Sequence, residues 1–289
     1  MRSSQTDEVL AGLRAVANGS LSAATNMPPA MYHDDEILTL ERDRVFARDW
    51  VSPGLAAEIP KPGDRLTWSI ADRPVFCVRG ADGLIRTFSN VCRHRMMTLV
   101  DGDGTGLRIT CPYHAWTYDL EGHLVGTNHM EATDGFDEAD VCLPEVRTEV
   151  WQGWIYSTLN SDALPVAELL APMEEFVARY GVPDYVPVHR QDETWGGNWK
   201  FLVENFMEGY HLSTVHSKDL YDVTPTRLCK KIPSGKRYTG YKSYYSRKSP
   251  HRKKYHADIT VEEGQFSLFF WIFPSHVVGI TWNGSASLC

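Results

Sequence analysis

The sequence of 289 residues has no long hydrophobic run and no export signal. No apolar stretch approaches the ~20 residues that a membrane-spanning helix needs, and residues 1–30 lack the hydrophobic centre of a signal peptide. Internal repeats and low-complexity tracts are also absent. A hydrophobic content of 43% is typical of a globular chain, and the length suffices for two domains. The sequence therefore predicts a cytoplasmic protein without a membrane anchor.

Cysteine is scarce, with six residues at irregular spacing. This number and pattern do not suggest the disulfide framework of a small secreted domain. Two of the cysteines, Cys92 and Cys111, are each followed closely by a histidine. We expect the remaining four to be ordinary reduced thiols: Cys77, Cys142, Cys229 and Cys289.

Basic residues are in the minority overall, since the net charge is −8. The sign of the charge reverses between Asp222 and Asp258, where there are eleven Lys or Arg, no acid and several tyrosines. Such a stretch can bind nucleic acid, but nothing else in the sequence supports that function, so we expect no nucleic-acid partner. A solvated or lid-like segment is the main interpretation. A docking surface for an acidic redox partner or a neighbouring subunit is the alternative.

Two short segments each combine one cysteine with one histidine. Cys92 and His94 form the first, and Cys111 and His114 form the second, with sixteen residues between His94 and Cys111. In a Rieske [2Fe-2S] cluster, two thiolates bind one iron and two imidazoles bind the other, which matches this set. Structural zinc sites usually pair Cys with Cys and His with His. A disulfide between the two cysteines would leave the matched histidines unexplained, so we interpret the four residues as cluster ligands.

The surrounding residues resemble the Rieske ferredoxin-like domain. The resemblance includes arginines on both sides of His94 and the Ala115-Trp116 pair after His114. From Gly63 to about Asn160 the sequence has short alternating segments with turn signals, such as Leu66, Trp68 and Ile70, and these predict a small antiparallel sheet. The cluster loops are expected at strand ends. Electron transfer is the function implied for this region.

A second group of residues with metal-binding chemistry lies downstream of a predicted packing helix that begins after Pro165. It contains Glu208, His211 and His216, and imidazole with carboxylate suits non-haem Fe(II). On a regular helix, five residues separate side chains by about 140°. Both histidines can therefore reach one ion only if the helix ends or distorts between them, which the weak helix formers Ser213 to Val215 allow.

Together, the two motifs resemble the catalytic subunits of Rieske non-haem iron oxygenases. The resemblance rests on Asn198-Trp199-Lys200, the Glu204-Asn205 pair and the acid-x-x-His-x4-His pattern. It implies a mononuclear Fe(II) bound by His211 and His216, and a bridging role for Glu208 toward the Rieske histidine of a neighbouring subunit. It also implies a homotrimer or heterohexamer, O2, a small-molecule substrate, and an NAD(P)H-dependent reductase or ferredoxin. Glutamate at the bridging position is more similar to relatives that oxidise carnitine-type quaternary ammonium compounds than to those acting on aromatic rings.

The predicted fold class is α+β: an all-β Rieske domain followed by a partial helix-grip catalytic domain of antiparallel sheet and helices. The predicted boundaries are an N-terminal helical segment at 1–50, the Rieske domain at 51–160 and the catalytic domain at 161–289. The family takes its third iron ligand, usually aspartate, from a downstream helix, yet no acid follows Glu263. We therefore expect a truncated chain without that ligand. Two functions stay open: a terminal oxygenase that hydroxylates or demethylates its substrate, and an electron-carrying or inactive Rieske protein.

Overall fold

Two helices open the chain in the computed structural model, which describes residues 3–130, 132–250 and 258–288. Helix α1 (Ser4–Asn18) begins at Ser3, whose side chain accepts a hydrogen bond from the N–H of Thr6. Helix α2 (Asp35–Glu41) begins at Asp34, whose carboxylate accepts from two backbone N–H groups, and acids fill its first turn. A wider turn over Arg42–Phe46 continues α2.

Ten short strands follow. They are β1 (Val51–Leu55), β2 (Asp64–Ile70), β3 (Arg73–Arg79), β4 (Ile85–Ser89), β5 (Gly104–Thr105), β6 (Ile109–Thr110), β7 (Thr117–Tyr118), β8 (Leu124–Gly126), β9 (Glu145–Trp151) and β10 (Trp154–Thr158). Seven of them form an antiparallel sheet in the order β1-β10-β9-β4-β3-β2-β5. The other three form a small sheet, β6-β7-β8, that carries the second Cys-His segment at its start. The predicted antiparallel sheet domain is confirmed.

The second half contains two helices and a five-stranded sheet. Its elements are α3 (Val166–Val177), α4 (Trp199–Phe206), β11 (Cys229–Lys231), β12 (Tyr238–Tyr244), β13 (Phe266–Ile272), β14 (His276–Thr281) and β15 (Gly284–Leu288). The strands run as an antiparallel meander in chain order. The α+β class is confirmed. Among the described residues, no helix has both the length and the apolar character to cross a bilayer.

The basic stretch after Asp222 exposes six of its eight described Lys and Arg residues, as expected of a solvated segment, but part of it also forms strands. It supplies β11 and β12, where lysine ammonium groups lie over aromatic rings. Lys230 is 5.0 Å from the ring centroid of Tyr244, and Lys242 is 4.3 Å from that of Phe266. Residues 251–257 lie outside the described residues. The sheet accommodates these cations because aromatic faces attract them.

One hydrophobic core joins the two halves. Helix α3 buries a face that includes Leu170 and Met173, at the three-residue spacing of a buried helical stripe. The same core contains Trp154 and Tyr156 of β10 and Phe270 of β13. The first sheet, α3 and the second sheet therefore pack as continuous layers, which fixes the two Cys-His loops relative to the second half of the chain.

Candidate metal centres

Two loops of matching geometry carry the cysteine and histidine pairs. Cys92 lies just after β4, and its N–H donates to the carbonyl of Met97 at 2.8 Å. Cys111 directly follows β6, and its N–H donates to the carbonyl of Trp116, also at 2.8 Å. The two loops therefore turn back on themselves in the same way, although they share little sequence beyond cysteine and histidine.

The fourth residue after each cysteine adopts a left-handed backbone conformation. Met96 has a φ of 58° and Ala115 a φ of 59°, and each N–H donates to the carbonyl of the cysteine four residues earlier. Non-glycine residues avoid this region because of steric crowding, so its repetition in both loops marks a locally strained turn. The consequence is that each loop presents its cysteine and histidine side chains toward the same space.

The four side chains meet at one end of the Rieske-like half. Cys92 and Cys111 are 1% and 3% exposed and form no disulfide, while the rings of His94 and His114 lie 4.7 Å apart. The Nδ1 atoms of both rings are buried, and neither has a hydrogen-bond partner in the described part of the chain. Buried polar atoms without partners are rare in proteins. Two buried thiols beside two such nitrogens fit the ligand set of a [2Fe-2S] cluster.

Neighbouring groups tune this site. Tyr118, fully buried, accepts a hydrogen bond from the N–H of Arg93 at 3.1 Å, and its hydroxyl lies 3.5 Å from the Cys92 Sγ. The phenol hydrogen is therefore free to donate to that sulfur. Burial raises the pKa of Tyr118, so it stays protonated. Burial, together with nearby His114, lowers the pKa of His94 and keeps the ring neutral, as a ligand requires.

The second site begins where α4 ends. We expected the helix to end or distort between His211 and His216, but α4 already stops at Phe206, ahead of both. The carboxylate of Glu208 explains this early end: it accepts from the N–H of Tyr210 and, at 3.2 Å, from that of His211. A side chain thus takes the place of the carbonyls that would continue the helix.

The rings of His211 and His216 lie 5.4 Å apart, and a carboxylate contacts the Nδ1 atom of each. Glu208 contacts the Nδ1 of His211, and Asp219 lies 3.4 Å from the Nδ1 of His216. This leaves Nε2 of both rings for another partner. Metal-binding histidines usually donate their second ring N–H to a carboxylate in this way. The pair therefore fits two of the ligands of a mononuclear iron.

Both carboxylates stay ionised. Burial would raise the pKa of Glu208, but hydrogen bonds from His211 and from two backbone N–H groups lower it below its ordinary value. The N–H of Leu220 lowers the pKa of Asp219, and His216 adds to the effect. A charged carboxylate holds a ring N–H more strongly than a neutral acceptor, so each imidazole is fixed in one tautomer.

The two histidines line a cavity of about 370 Å³. Tyr241 stacks on Phe269 at 5.0 Å, and Phe206 meets the same ring edge-on at 5.5 Å, so one wall is aromatic. Glu208 is the charged acid of the lining, and no Lys or Arg is found among the described lining residues. Across the described residues, no three His, Cys, Asp or Glu side chains converge closely enough for a single ion. In the described part of the chain, His211 and His216 therefore have no third iron ligand beside them.

The sequence-predicted residues fall into two separate groups. Cys92, His94, Cys111 and His114 come together, as do Glu208, His211 and His216. Within the described chain, no hydrogen bond or ion pair joins Glu208 to either cluster loop. The sequence did not predict a role at these sites for two residues, Tyr118 and Asp219. The second carried a signal, because its spacing of three from His216 mirrors the spacing of three between Glu208 and His211.

Two family comparisons match consecutive parts of the chain. Residues 49–144 match the Rieske [2Fe-2S] domain, and residues 178–283 match the ring hydroxylating alpha subunit catalytic domain.

Two sequence relatives agree with these matches. The glycine betaine monooxygenase oxygenase subunit of Pseudomonas aeruginosa is 31% identical over 192 residues, which cover 66% of this chain and 44% of that protein. The carnitine monooxygenase oxygenase subunit of Escherichia coli is 28% identical over 263 residues, covering 89% and 68%. The chain thus spans less than half of the first relative and about two thirds of the second.

Two solved structures share the fold. A quaternary ammonium Rieske monooxygenase in complex with an inhibitor superposes with a TM-score of 0.80 and 24% identity, covering 91% of this chain and 70% of that one. Naphthalene 1,2-dioxygenase from a Rhodococcus species gives a TM-score of 0.79 at 22% identity, covering 97% and 70%. At these identities the similarity establishes the architecture.

Proposed function

We propose, because this chain belongs to the alpha subunits of the Rieske oxygenases, that it acts as the terminal oxygenase of a multicomponent system. The reaction is the hydroxylation or demethylation of a small organic molecule with O2. The two family domains imply a [2Fe-2S] cluster and a mononuclear iron. When bound, the cluster supplies electrons one at a time and the iron offers open coordination positions. The observation that carries the proposal is the pair of oriented imidazoles beside a cavity with an aromatic wall, since a simple electron carrier does not need them.

Each site residue has a defined part in this proposal. Cys92, Cys111, His94 and His114 hold the cluster. His211 and His216 hold the iron through Nε2. Glu208 fixes the ring of His211, and we assign it the bridging position toward a cluster histidine of a neighbouring subunit. The inter-subunit electron transfer named for a structurally similar monooxygenase supports that assignment.

The cavity favours a quaternary ammonium compound over an aromatic hydrocarbon as the substrate. Its aromatic wall of Phe206, Tyr241 and Phe269 offers ring faces that attract cations, and Glu208 adds a negative charge. No described lining residue would repel a cation by carrying a positive charge itself. The relatives named for glycine betaine and carnitine point in the same direction.

The proposed partners are an NAD(P)H-dependent reductase or a ferredoxin, and further copies of the chain in a homotrimer or heterohexamer. We place the protein in the cytoplasm. Besides the two proposed cluster ligands, Cys77, Cys142 and Cys229 form no disulfide in the described part of the chain, and free thiols persist in a reducing compartment. Cys289 lies outside the described residues.

A second candidate function is electron transfer alone. It is favoured by one observation, the missing third ligand beside His211 and His216 among the described residues. The two functions differ in the iron content that the protein can hold, since only the oxygenase needs an occupied mononuclear site.

The deciding measurement is iron and acid-labile sulfide per chain after anaerobic purification with Fe(II). The oxygenase proposal expects about three irons to two sulfides, and the electron carrier about two to two. His211→Ala should remove one iron and leave sulfide unchanged, whereas His94→Ala should reduce both. If His211→Ala leaves the iron content unchanged, the oxygenase proposal is wrong.

A second arm tests the bridging role of Glu208. In Glu208→Gln, both metal sites should remain filled, but reoxidation of the reduced cluster in a single turnover should slow markedly. An unchanged rate, with normal iron content, would remove Glu208 from the bridging position.

A further inference from the structure

A second, larger cavity of about 500 Å³ lies between the N-terminal helices and α4. Its volume is within the range of about 300–1,000 Å³ that is typical of small-molecule sites. It shares no lining residue with the cavity beside His211. Most of its wall is apolar, with side chains that include Leu10, Leu13, Met31, Ile37, Val203 and Trp271. The wall of this cavity can therefore pack against the apolar part of a ligand.

The inner polar groups of this cavity are already paired with one another. The Nζ of Lys200 lies 2.7 Å from the Glu41 carboxylate, and both side chains are largely buried. The Nε1 of Trp199 donates to the same carboxylate at 3.0 Å. Because the Lys200 ammonium and the Glu41 carboxylate neutralise each other, the inner part of the cavity does not require a charged group from a ligand.

Of the two outer charged groups of this cavity, Glu204 and Arg44, only Glu204 already has a hydrogen-bond partner among the described residues. Glu204 is engaged, because the hydroxyl of Tyr32 donates to both of its carboxylate oxygens at 2.9 Å. Arg44 also lines the cavity and is exposed, and in the parts of the chain that the structure describes it has no hydrogen bond or ion pair. Its guanidinium offers a planar set of N–H donors that matches a carboxylate. The cavity thus has an apolar interior and, among its described lining residues, one cationic side chain without a hydrogen bond or ion pair, that of Arg44.

We propose that this cavity binds an amphipathic organic anion, with its apolar body between α1, α2 and α4 and its carboxylate against Arg44. The site is separate from the iron site, because different residues of α4 serve the two cavities. Lys200 and Val203 line this one, whereas Asn205 and Phe206 line the other. Binding here does not require iron or the cluster, so it is independent of the proposed oxygenase activity.

Calorimetric titration of the full chain with three probes of one chain length tests the charge preference. The probes are decanoate, decanol and decyltrimethylammonium. Decanoate should bind about tenfold more tightly than decanol, since a charge-assisted hydrogen bond is worth roughly 1.5–3 kcal/mol. Because the iron-site cavity is proposed to bind quaternary ammonium compounds, decyltrimethylammonium is titrated into Leu220→Trp, which fills that cavity, and there it should bind most weakly. Equal affinity of Leu220→Trp for all three probes would contradict the proposal.

Four variants locate the site. Arg44→Gln, at an exposed position, should reduce decanoate affinity to that of decanol without changing decanol binding. The control Arg42→Gln alters an arginine on the same turn that is already paired with Asp72 at 2.6 Å, and should change neither. Val45→Trp should fill the cavity and abolish binding of both probes, whereas Leu220→Trp, in the iron-site cavity, should not.

Three further results would overturn the proposal. In the first, Leu220→Trp blocks decanoate and Val45→Trp does not, which would put the probe in the iron-site cavity. In the second, Arg44→Gln leaves decanoate affinity unchanged. In the third, no probe binds and light scattering shows a stable oligomer that Val45→Trp disrupts, which would mean that another copy of the chain covers this surface.

Discussion

Glu41 and Lys200 lie 159 positions apart in the chain, yet they form an ion pair at 2.7 Å in which both side chains are about nine-tenths buried. The pair connects the end of α2 to the first turn of α4, the helix that leads into Glu208. Tyr32 strengthens the same junction by stacking on Phe201 at 4.4 Å. The N-terminal helices therefore hold the helix on which the iron-site residues depend.

Glu41→Gln should destabilise the protein by about 3–5 kcal/mol, because it leaves the Lys200 ammonium buried without a counter-charge. The free energy of unfolding from urea titration measures this. Asp43→Asn is a matched control: its carboxylate lies 3.9 Å from Arg42 at the exposed surface, and it should cost less than about 1 kcal/mol. Equal effects of the two variants would mean that the buried pair contributes no more than a surface pair.

Tyr118→Phe should lower the reduction potential of the [2Fe-2S] cluster. The tyrosine hydroxyl is placed to donate to the Cys92 sulfur at 3.5 Å, and such a bond favours the more negative, reduced cluster. A net contribution of about 1 kcal/mol corresponds to roughly 40 mV for one electron. Spectroelectrochemical titration gives the value. Tyr113→Phe, at an exposed tyrosine of the cluster loop, is the control and should not shift the potential.

Asp219→Ala should weaken Fe(II) binding by about ten- to a hundredfold, because the carboxylate at Nδ1 orients the His216 ring and increases its basicity. Equilibrium dialysis of iron measures the affinity without any need for turnover. Asp222→Ala is a suitable control, since that carboxylate pairs with Lys248 at the surface, 3.4 Å away. Asp219→Asn keeps an acceptor and should lose less. If Asp219→Ala, Asp219→Asn and Asp222→Ala all bind Fe(II) with the same affinity, Asp219 has no positioning role.

His276 should make the protein sensitive to acid. Its side chain is buried against Trp154, and its Nδ1 lies within hydrogen-bond distance of the Tyr156 hydroxyl, 2.8 Å away. Burial lowers its pKa from 6.5 to about 3. The neutral ring therefore stabilises the fold fully above pH 6.5, and this contribution is lost as the pH falls toward 3. Over that window the slope should approach about 1.4 kcal/mol per pH unit.

The free energy of unfolding, measured at several pH values, checks this slope. His276→Gln cannot titrate, so the difference in stability between the native protein and the variant should shrink as the pH falls. A difference that stays constant between pH 6.5 and pH 4 would show that His276 does not control the acid response.

The sequence was most informative where a local pattern determines local structure. The cysteine and histidine spacing located both cluster loops, and alternation at Leu66, Trp68 and Ile70 located β2, because these signals depend on neighbours in the chain. The sequence likewise placed Glu208, His211 and His216 in one group, because the three residues are close together in the chain. The domain boundaries at 50 and 160 and the roles of the site residues stay predictions.

Other features could not be predicted because they depend on contacts between distant segments. The strands within the basic stretch were not predicted, since charge alone does not reveal the aromatic faces that Tyr244 and Phe266 provide for two of its lysines. The pairing of Glu41 with Lys200 joins two helices that no periodicity relates. In both cases tertiary packing decided the outcome over local propensity. The end of α4 at Phe206 is instead a local effect, because the Glu208 side chain accepts hydrogen bonds from Tyr210 and His211.

The ring of Trp116 stacks on His94 almost in parallel, with centroids 4.7 Å apart and planes at 6°. This places an indole in van der Waals contact with a ring that would bind an iron of the cluster. The cluster should therefore quench the fluorescence of Trp116 efficiently. The fluorescence should fall as the cluster assembles and should recover as the cluster is lost. The chain thus contains its own optical reporter of cluster loading, one that needs no attached dye.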